Sequence, residues 1–303
     1  MGVSIRDRHF LVTGGAGFIG SHLCRRLLAL GARVTAIDSM KYACARDFPI
    51  TRFTLGSDDV ATLPLGEVDG VFHLAAEKHN QSLATPAALF AANIDGTHQL
   101  FAAAARAGVK KIVFSSSLYA YGRMRGEPMS EDELPAPDTL YGITKLAGEH
   151  LVGHARRLGV EGTALRFFFV YGPEQYPGMG YKSVIVANFE RLLAGAPALV
   201  HGDGAQALDY VYVDDVVDAS VRAMERGEPG PFNIGSGVAT SIADLTRRMC
   251  ALTGGSAVHD AADWTAGSCR VARVDRVAAA LDWRARVPLD DGLARTLAWL
   301  RAR

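Results

Sequence analysis

An α/β fold is predicted, a doubly wound parallel sheet joined to a smaller C-terminal lobe, on three observations. Between residue 9 and about 170, short β-rich runs alternate with helix-patterned segments at a period of roughly 30 residues, as βαβ units do. The runs are almost continuously apolar, which fits strands covered on both faces rather than strands with one wet face. A glycine-rich turn, TGGAGFIG at 13–20, lies between the first run and the first helical segment.

The first run is HFLVTG (9–14), and FIGSHLCRRLLALG follows it. There Ile19, Leu23, Leu27 and Leu30 fall on one helical stripe, with Gly31 placed to end the helix. ARVTAI (32–37), RFTL (52–55), GVFHLAA (70–76), KKIVFSS (110–116) and GTALRFFFV (162–170) supply the later strands, and the alanine-rich FAAAARAG (101–108) is read as a tightly packed helix. Right-handed crossovers wind such units into an open sheet that binds ligands at the strand carboxyl ends. After Tyr171 the rhythm breaks. GPEQYPGMG is turn-forming, and a helix over 182–193, a strand pair around Ala198–Val200 and Leu208–Val213, and the final helices follow no βαβ period. The expected division is 1–170 for the sheet domain, completed by 208–235, with 171–303 mostly a substrate-binding lobe.

The chain has 303 residues, enough for a large core. Lys plus Arg equals Asp plus Glu at 32 each, so charge gives no reason to expect nucleic acid or an anionic membrane as partner, and small molecules are the default ligands. Cys24, Cys44, Cys250 and Cys269 show no C-x-x-C spacing, which argues against a zinc ribbon and a disulfide scaffold and fits a reducing compartment. Charges stand where a signal peptide needs apolar residues, and no apolar run approaches the roughly 18 residues of a membrane span. A cytoplasmic protein is expected. His73, His79 and the nearby acids lack paired ligand spacing, so no metal site is predicted.

Gly14, Gly17 and Gly20 form a G-x-x-G-x-x-G pattern directly after a strand and at the start of a helix, the context that makes such a pattern informative. Small residues let the backbone approach a pyrophosphate, whose charge then meets the free N–H groups and positive dipole end of the helix. Asp38 closes the second strand, where a carboxylate accepts hydrogen bonds from both ribose hydroxyls and repels a 2′-phosphate. NAD is therefore expected over NADP, with Lys41 close by as the one argument for NADP. Asp58 or Asp59, after the third strand, is placed to meet the adenine amine.

FSSSLYAYG (114–122) ends a strand in three hydroxyls, and downstream Tyr141 and Lys145 stand four apart in YGITK, one helical turn from each other. An ammonium beside a phenol favours the phenolate, and each unit taken from the usual pKa of about 10 corresponds to about 1.4 kcal/mol. Tyrosine then becomes usable as a base near neutral pH.

Together TGGAGFIG, Asp38, HLAA (73–76), NIDGT (93–97), SSSLYAYG, YGITK, RFFFVYGP and DYVYVDDVVDA, spread over nearly the whole chain, resemble the extended short-chain dehydrogenase/reductases. The match is to their NAD-dependent sugar-nucleotide epimerase/dehydratase group. The resemblance implies a Rossmann fold, and a homodimer paired through the helices around 86–107 and 140–158. In that family the catalytic Ser or Thr stands four residues before the Tyr-Gly of the serine motif, here Tyr121-Gly122, which selects Ser117. By resemblance Ser117 hydrogen-bonds the reacting substrate oxygen, Tyr141 takes its proton, and Lys145 holds the nicotinamide ribose and tunes Tyr141. Ser115 and Ser116 are left as strand-end residues that satisfy backbone groups. The cofactor contacts implied are Gly14, Gly17, Phe18, Ile19, Gly20, Asp38, Asp58, Asp59, Val60, Leu74, Ala75, Ala76, Asn93, Tyr141, Lys145 and Phe168.

Some positions depart from the family pattern. An Asp-Glu pair follows the catalytic Thr in the dehydratases, whereas Leu118 and Tyr119 stand here, so a sugar dehydratase is disfavoured. Family members usually carry Asn where this chain has Phe169, and Arg where it has Leu208 before Asp209, both of which grip a substrate diphosphate. Lys182, His201 and Arg270 are the nearest candidates to compensate. The loop Glu77-Lys78-His79-Asn80-Gln81-Ser82 follows the fourth strand, where the family's loops border the substrate. Glu77, Lys78, His79, Ser117, Phe169, Lys182 and Arg270 thus form the expected substrate set. The function expected is an NAD-dependent epimerase of a nucleotide-linked sugar. The alternative is an NAD(P)-dependent reductase, dehydrogenase or decarboxylase of a modified sugar or other polyol.

Overall fold

The computed structural model describes residues 4–79, 83–122, 128–175, 182–261 and 268–303. The chain begins with β1 (His9–Thr13), α1 (Phe18–Ala29), β2 (Arg33–Asp38) and β3 (Ile50–Arg52). β4 (Gly70–His73) leads into α2 (Pro86–Phe90), which passes through π-type turns at Ala91–Gly96 into α3 (Thr97–Arg106). Next come β5 (Lys111–Ser117), α4 (Leu140–Arg157), β6 (Glu161–Phe167) and β7 (Phe169–Tyr171). α5 (Val184–Leu193), β8 (Ala198–His201), β9 (Ala207–Leu208), β10 (Tyr210–Tyr212), α6 (Val213–Arg226) and β11 (Phe232–Ile234) follow. The chain closes with β12 (Thr240–Ser241), α7 (Ile242–Thr253), β13 (Ala257–Asp260), β14 (Cys269–Arg270), α8 (Asp275–Leu281) and α9 (Leu289–Arg301).

Seven strands pair in parallel in the order β11-β6-β5-β4-β1-β2-β3. Alternate residues of β1 feed opposite layers, as a strand period of two requires. Phe10 and Val12 pack with Leu23, Leu27, Val216, Met224 and Trp283 on one face. Leu11 packs with Ile37, Leu100, Ile112, Phe114 and Val152 on the other. Both faces are dry, which is why the runs read as continuously apolar. The order reverses between β1 and β4, so loops diverge there and leave a crevice at the carboxyl ends.

Three expectations need correction. The third strand is Ile50–Arg52, not 52–55: the Phe53 N–H to Asp38 carbonyl bond at 2.9 Å is the last rung, and its partner β2 ends at Asp38, so the residues that follow have no strand to pair with. The run 162–170 is two strands: Phe168 bonds Ile234 at 3.0 Å, and the chain then steps off the sheet so that β7 pairs with β10. Ala198–Val200 and Leu208–Val213 do not pair with each other; β8 takes β13 as partner, while β9 lies between β12 and β14. Around these short strands a third core forms from Tyr171, Ile185, Phe189, Tyr212, Leu245 and Leu293. No described helix is long and apolar enough to cross a membrane.

Candidate active site

The loops at the carboxyl ends enclose a cleft of about 1760 Å³. At one end lies the turn after β1. A Cβ on Gly14 (φ +69) would come within 2.8 Å of the Ala75 nitrogen, and one on Gly20 would meet the Gly14 carbonyl oxygen at 2.0 Å. Only glycine fits. α1 starts behind Gly17 with no side-chain cap and no acid in its first turn, so its leading N–H groups are left for an anion in the cleft. Asp38, buried at the end of β2, accepts from the N–H of Ala16 at 3.1 Å and of Met40 at 2.7 Å. Burial raises its carboxyl pKa, while the N–H groups of Met40, Ala16 and Gly17 oppose that rise. Each oxygen retains acceptor capacity for a ribose hydroxyl. Lys41 binds both Glu77 oxygens at 2.8 and 2.9 Å, so a neighbouring carboxylate already answers its charge. An uncapped helix start, a glycine cradle and a buried carboxylate together fit the adenosine pyrophosphate of NAD.

The loop after β4, which carries Leu74, Ala75 and Ala76 along the cleft, is fixed from beneath by His73. Its Nδ1 lies 2.7 Å from Thr13 Oγ1 and its Nε2 2.9 Å from Thr97 Oγ1. Thr13 Oγ1 accepts from the Ala75 N–H at 3.1 Å, and Thr97 Oγ1 donates to the Asn93 carbonyl at 2.8 Å. One proton arrangement satisfies all of these: Thr13 donates to Nδ1, and Nε2–H donates to Thr97. Burial, with the Lys145 charge adding to it, holds the imidazole neutral by pushing its pKa down to about 3.

The opposite end joins β5 to α4. Thr139 caps α4 by accepting from the Gly142 N–H at 3.0 Å, and Tyr141 and Lys145 follow on one face. Ser117 Oγ accepts from the Tyr119 N–H at 3.3 Å and lines the cleft beside the Tyr141 phenol, near enough to lower its pKa. Lys145 Nζ donates to the Ser115 carbonyl at 2.8 Å and lies 5.6 Å from the centre of the Tyr141 ring. Among the protein's own groups, burial and Tyr119 raise the phenol pKa above its ordinary value against the nearby Ser117 hydroxyl, and burial drives Lys145 down to about 7. The spacing alone predicts an acidified phenol, but in the fold desolvation outweighs it.

Beyond Tyr141 the walls are aromatic. Tyr119 stacks on His79 at 4.3 Å and meets Tyr141 edge-on at 5.9 Å. The Arg270 guanidinium lies 5.8 Å from the Tyr119 ring centre, and its Nε finds no hydrogen-bond partner among the described residues. Phe169 and Tyr210, with ring centres 6.1 Å apart, form another wall.

Residues 10–235 match the NAD dependent epimerase/dehydratase family. The chain belongs to that family. It is 36% identical over 308 residues to a UDP-glucose 4-epimerase of Mycolicibacterium smegmatis, across 96% of this chain and 98% of that one. It is 33% identical over 319 residues to a dTDP-glucose 4,6-dehydratase of Streptomyces griseus, across 96% and 93%. Among solved structures, the UDP-glucose 4-epimerase of Thermotoga maritima, determined with UDP-glucose, shares the fold at a TM-score of 0.90 and 34% identity, covering 97% of this chain and 99% of that one. The family's members are enzymes of sugar nucleotides, and NAD is their cofactor.

Most family positions converge on the cleft. Gly14, Gly17, Phe18, Ile19, Gly20, Asp38, Leu74–Ala76 and Phe168 line it with Ser117, Tyr141 and Lys145, and so do Glu77, Lys78, His79, Phe169 and Arg270. Six expected contacts lie elsewhere. Asp58 accepts from the Thr54 N–H at 2.6 Å and Asp59 from the Ala61 N–H at 2.9 Å, so both carboxylates hold their own turn and line a separate hollow that shares Ile37 and Phe53 with the cleft. Val60 is buried in the core beneath them. Asn93 stands behind the β4 loop, accepting from the Glu77 N–H at 2.7 Å and donating to Thr144 at 3.1 Å. Lys182 pairs with Glu190 on α5, and His201 with Asp260 at 2.9 Å. Asn80, Gln81 and Ser82 lie outside the described residues. Ser116 bonds a side chain, Glu149, at 2.5 Å rather than a backbone group. Phe53, Thr54 and Leu55 line the cleft unanticipated, because the strand ends earlier than its apolar run.

Proposed function

We propose that this enzyme is an NAD-dependent epimerase of a nucleotide-linked sugar, with Tyr141 as the proton acceptor. The observation that carries the proposal is the placement of Ser117, Tyr141 and Lys145 side by side in one cleft, where the next two positions after Ser117, Leu118 and Tyr119, hold no carboxyl. Similarity to UDP-glucose 4-epimerases supports it.

In this mechanism the Gly14–Gly20 turn and Asp38 hold the adenosine half of NAD, and Lys145 holds the ribose of the reactive half. Bound NAD supplies the acceptor for a hydrogen and its electron pair, and its oxidised ring supplies the positive charge that brings the Tyr141 phenol toward ionisation. Tyr141 Oη takes the proton of the sugar carbinol and later returns it. Ser117 Oγ hydrogen-bonds the same oxygen and keeps it in reach of Oη. The aromatic walls exclude water while the keto sugar turns over, and Arg270 meets the anionic part of the substrate.

A second reading, a reductase, dehydrogenase or decarboxylase of a modified sugar, is favoured by Phe169 and Leu208. Neither side chain donates a hydrogen bond, and charge-assisted bonds to a diphosphate contribute roughly 1.5–3 kcal/mol each. A panel of nucleotide sugars separates the two. Interconversion of epimers with no net change in NADH supports the first, stoichiometric NADH formation or consumption supports the second, and silence throughout contradicts both. A homodimer through α2–α4 belongs to the same proposal, since Phe90 and Ile143 remain 38% and 43% exposed there.

A further inference from the structure

Residues at three successive turns of α4 reach the three serines that end β5. Tyr141 stands beside Ser117, Lys145 Nζ donates to the Ser115 carbonyl at 2.8 Å, and Glu149 Oε1 accepts from Ser116 Oγ at 2.5 Å. Glu149 is itself held from β6. Arg166, opposite Ser116 in the strand register, donates Nε to Oε1 at 2.8 Å and its NH2 group to Oε2 at 2.7 Å. The two side chains are 3% and 9% exposed. Burying such a pair sacrifices the hydration of both ions, and apolar residues of the same volume would stabilise the fold as well or better, so stability alone does not account for it.

The packing around the pair gives it a geometric task. Ser116 shares the face of β5 that carries Phe114. α4 lies so close to that face that a Cβ on Gly148 would fall 2.2 Å from Phe114 Cζ. A smooth contact of glycine on an aromatic ring fixes the spacing of helix and strand but not their relative slide along the strand. The directional bonds of the ladder do fix it.

We propose that Glu149 is a positioning residue of the active site: clamped by Arg166 and bonded to Ser116, it sets the register of α4 on β5 and so brings Tyr141 to Ser117 and Lys145 to Ser115. Its charge works in the same direction. Tyr141 and Glu149 face Lys145 from its own helix, His73 from β4 and the Ser115 carbonyl from β5, with Arg166 of β6 behind Glu149. His73 is neutral, and the Glu149 carboxylate opposes the burial that strips the proton from Lys145.

The catalytic arm of the test rests on the epimerase reading; the second arm does not. Ser116→Ala removes one bond and leaves every charge in place, and Ser116→Thr keeps the hydroxyl. Ser116→Ala is expected to lower kcat about tenfold with KM and NAD affinity within about twofold, and Ser116→Thr to restore kcat. In substrate-free protein, acetylation of Lys145 by acetic anhydride is followed against pH by mass spectrometry. Glu149→Gln is expected to move its midpoint down by about one pH unit or more, since the protonated amine loses its counter-charge. The proposal is overturned if Ser116→Ala leaves kcat unchanged, if kcat, NAD affinity and the unfolding midpoint fall together, or if folded Glu149→Gln leaves the Lys145 midpoint in place. Wild-type protein inactive on every nucleotide sugar would sink the epimerase reading, and the acetylation arm would still decide the role of Glu149.

Discussion

Acid should unlatch the cofactor loop through His73. An imidazole in the unfolded chain titrates near 6.5, whereas burial in the fold pushes this one to about 3. The folded state therefore holds the neutral ring, and between those values the unfolded chain binds the extra proton. Stability from this group is fully present above pH 6.5 and is lost as pH falls toward 3, by up to about 1.36 kcal/mol per pH unit. Between pH 7 and pH 5 the loss comes to about 2 kcal/mol. His73→Leu cannot titrate, and it leaves the hydroxyls of Thr13 and Thr97 without the ring, costing about 1–3 kcal/mol at pH 7. Urea unfolding of both proteins at the two pH values measures the difference, in which carboxylates common to both cancel. The wild type is expected to be the more stable at pH 7, with the gap narrowing by about 2 kcal/mol at pH 5. NAD affinity should weaken in parallel, because Thr13 also carries the Ala75 N–H. A gap constant to within about 0.5 kcal/mol would refute the reasoning.

Gly20→Ala should abolish NAD binding in calorimetry, because the new methyl would press on the Gly14 carbonyl inside the pyrophosphate turn; near-normal affinity would contradict the cradle. Phe169→Asn should tighten UDP about tenfold by restoring one donor to the diphosphate region, and no change would show that Phe169 does not face that group. Asp58→Ala should leave NAD affinity within about twofold, since the carboxylate bonds the Thr54 N–H, and a large loss would return it to the adenine.

The sheet was legible because strands dry on both faces write themselves as unbroken apolar runs, and the glycine turn because close approach admits no other residue. The C-terminal pairings were not. β8 (Ala198–His201) finds β13 (Ala257–Asp260) far down the chain, and neither carries a pattern that names the other. The break at Phe168 is invisible in RFFFVYGP, since a residue leaving one ladder for another remains apolar. At the site, helical spacing placed Tyr141 beside Lys145 but said nothing of desolvation, which depends on what the rest of the chain packs around them. Glu149 escaped notice for a similar reason: its partners, Ser116 and Arg166, come from two different strands.

The most direct test of the account is Tyr141→Phe, which deletes one oxygen from a phenol that lines the cleft beside Ser117. NAD should bind at wild-type affinity, while turnover of the epimerisation substrate falls about 100- to 10,000-fold, the range for loss of a positioned general base. Turnover within about tenfold of wild type, in a protein that still binds NAD, would mean that another group takes the proton.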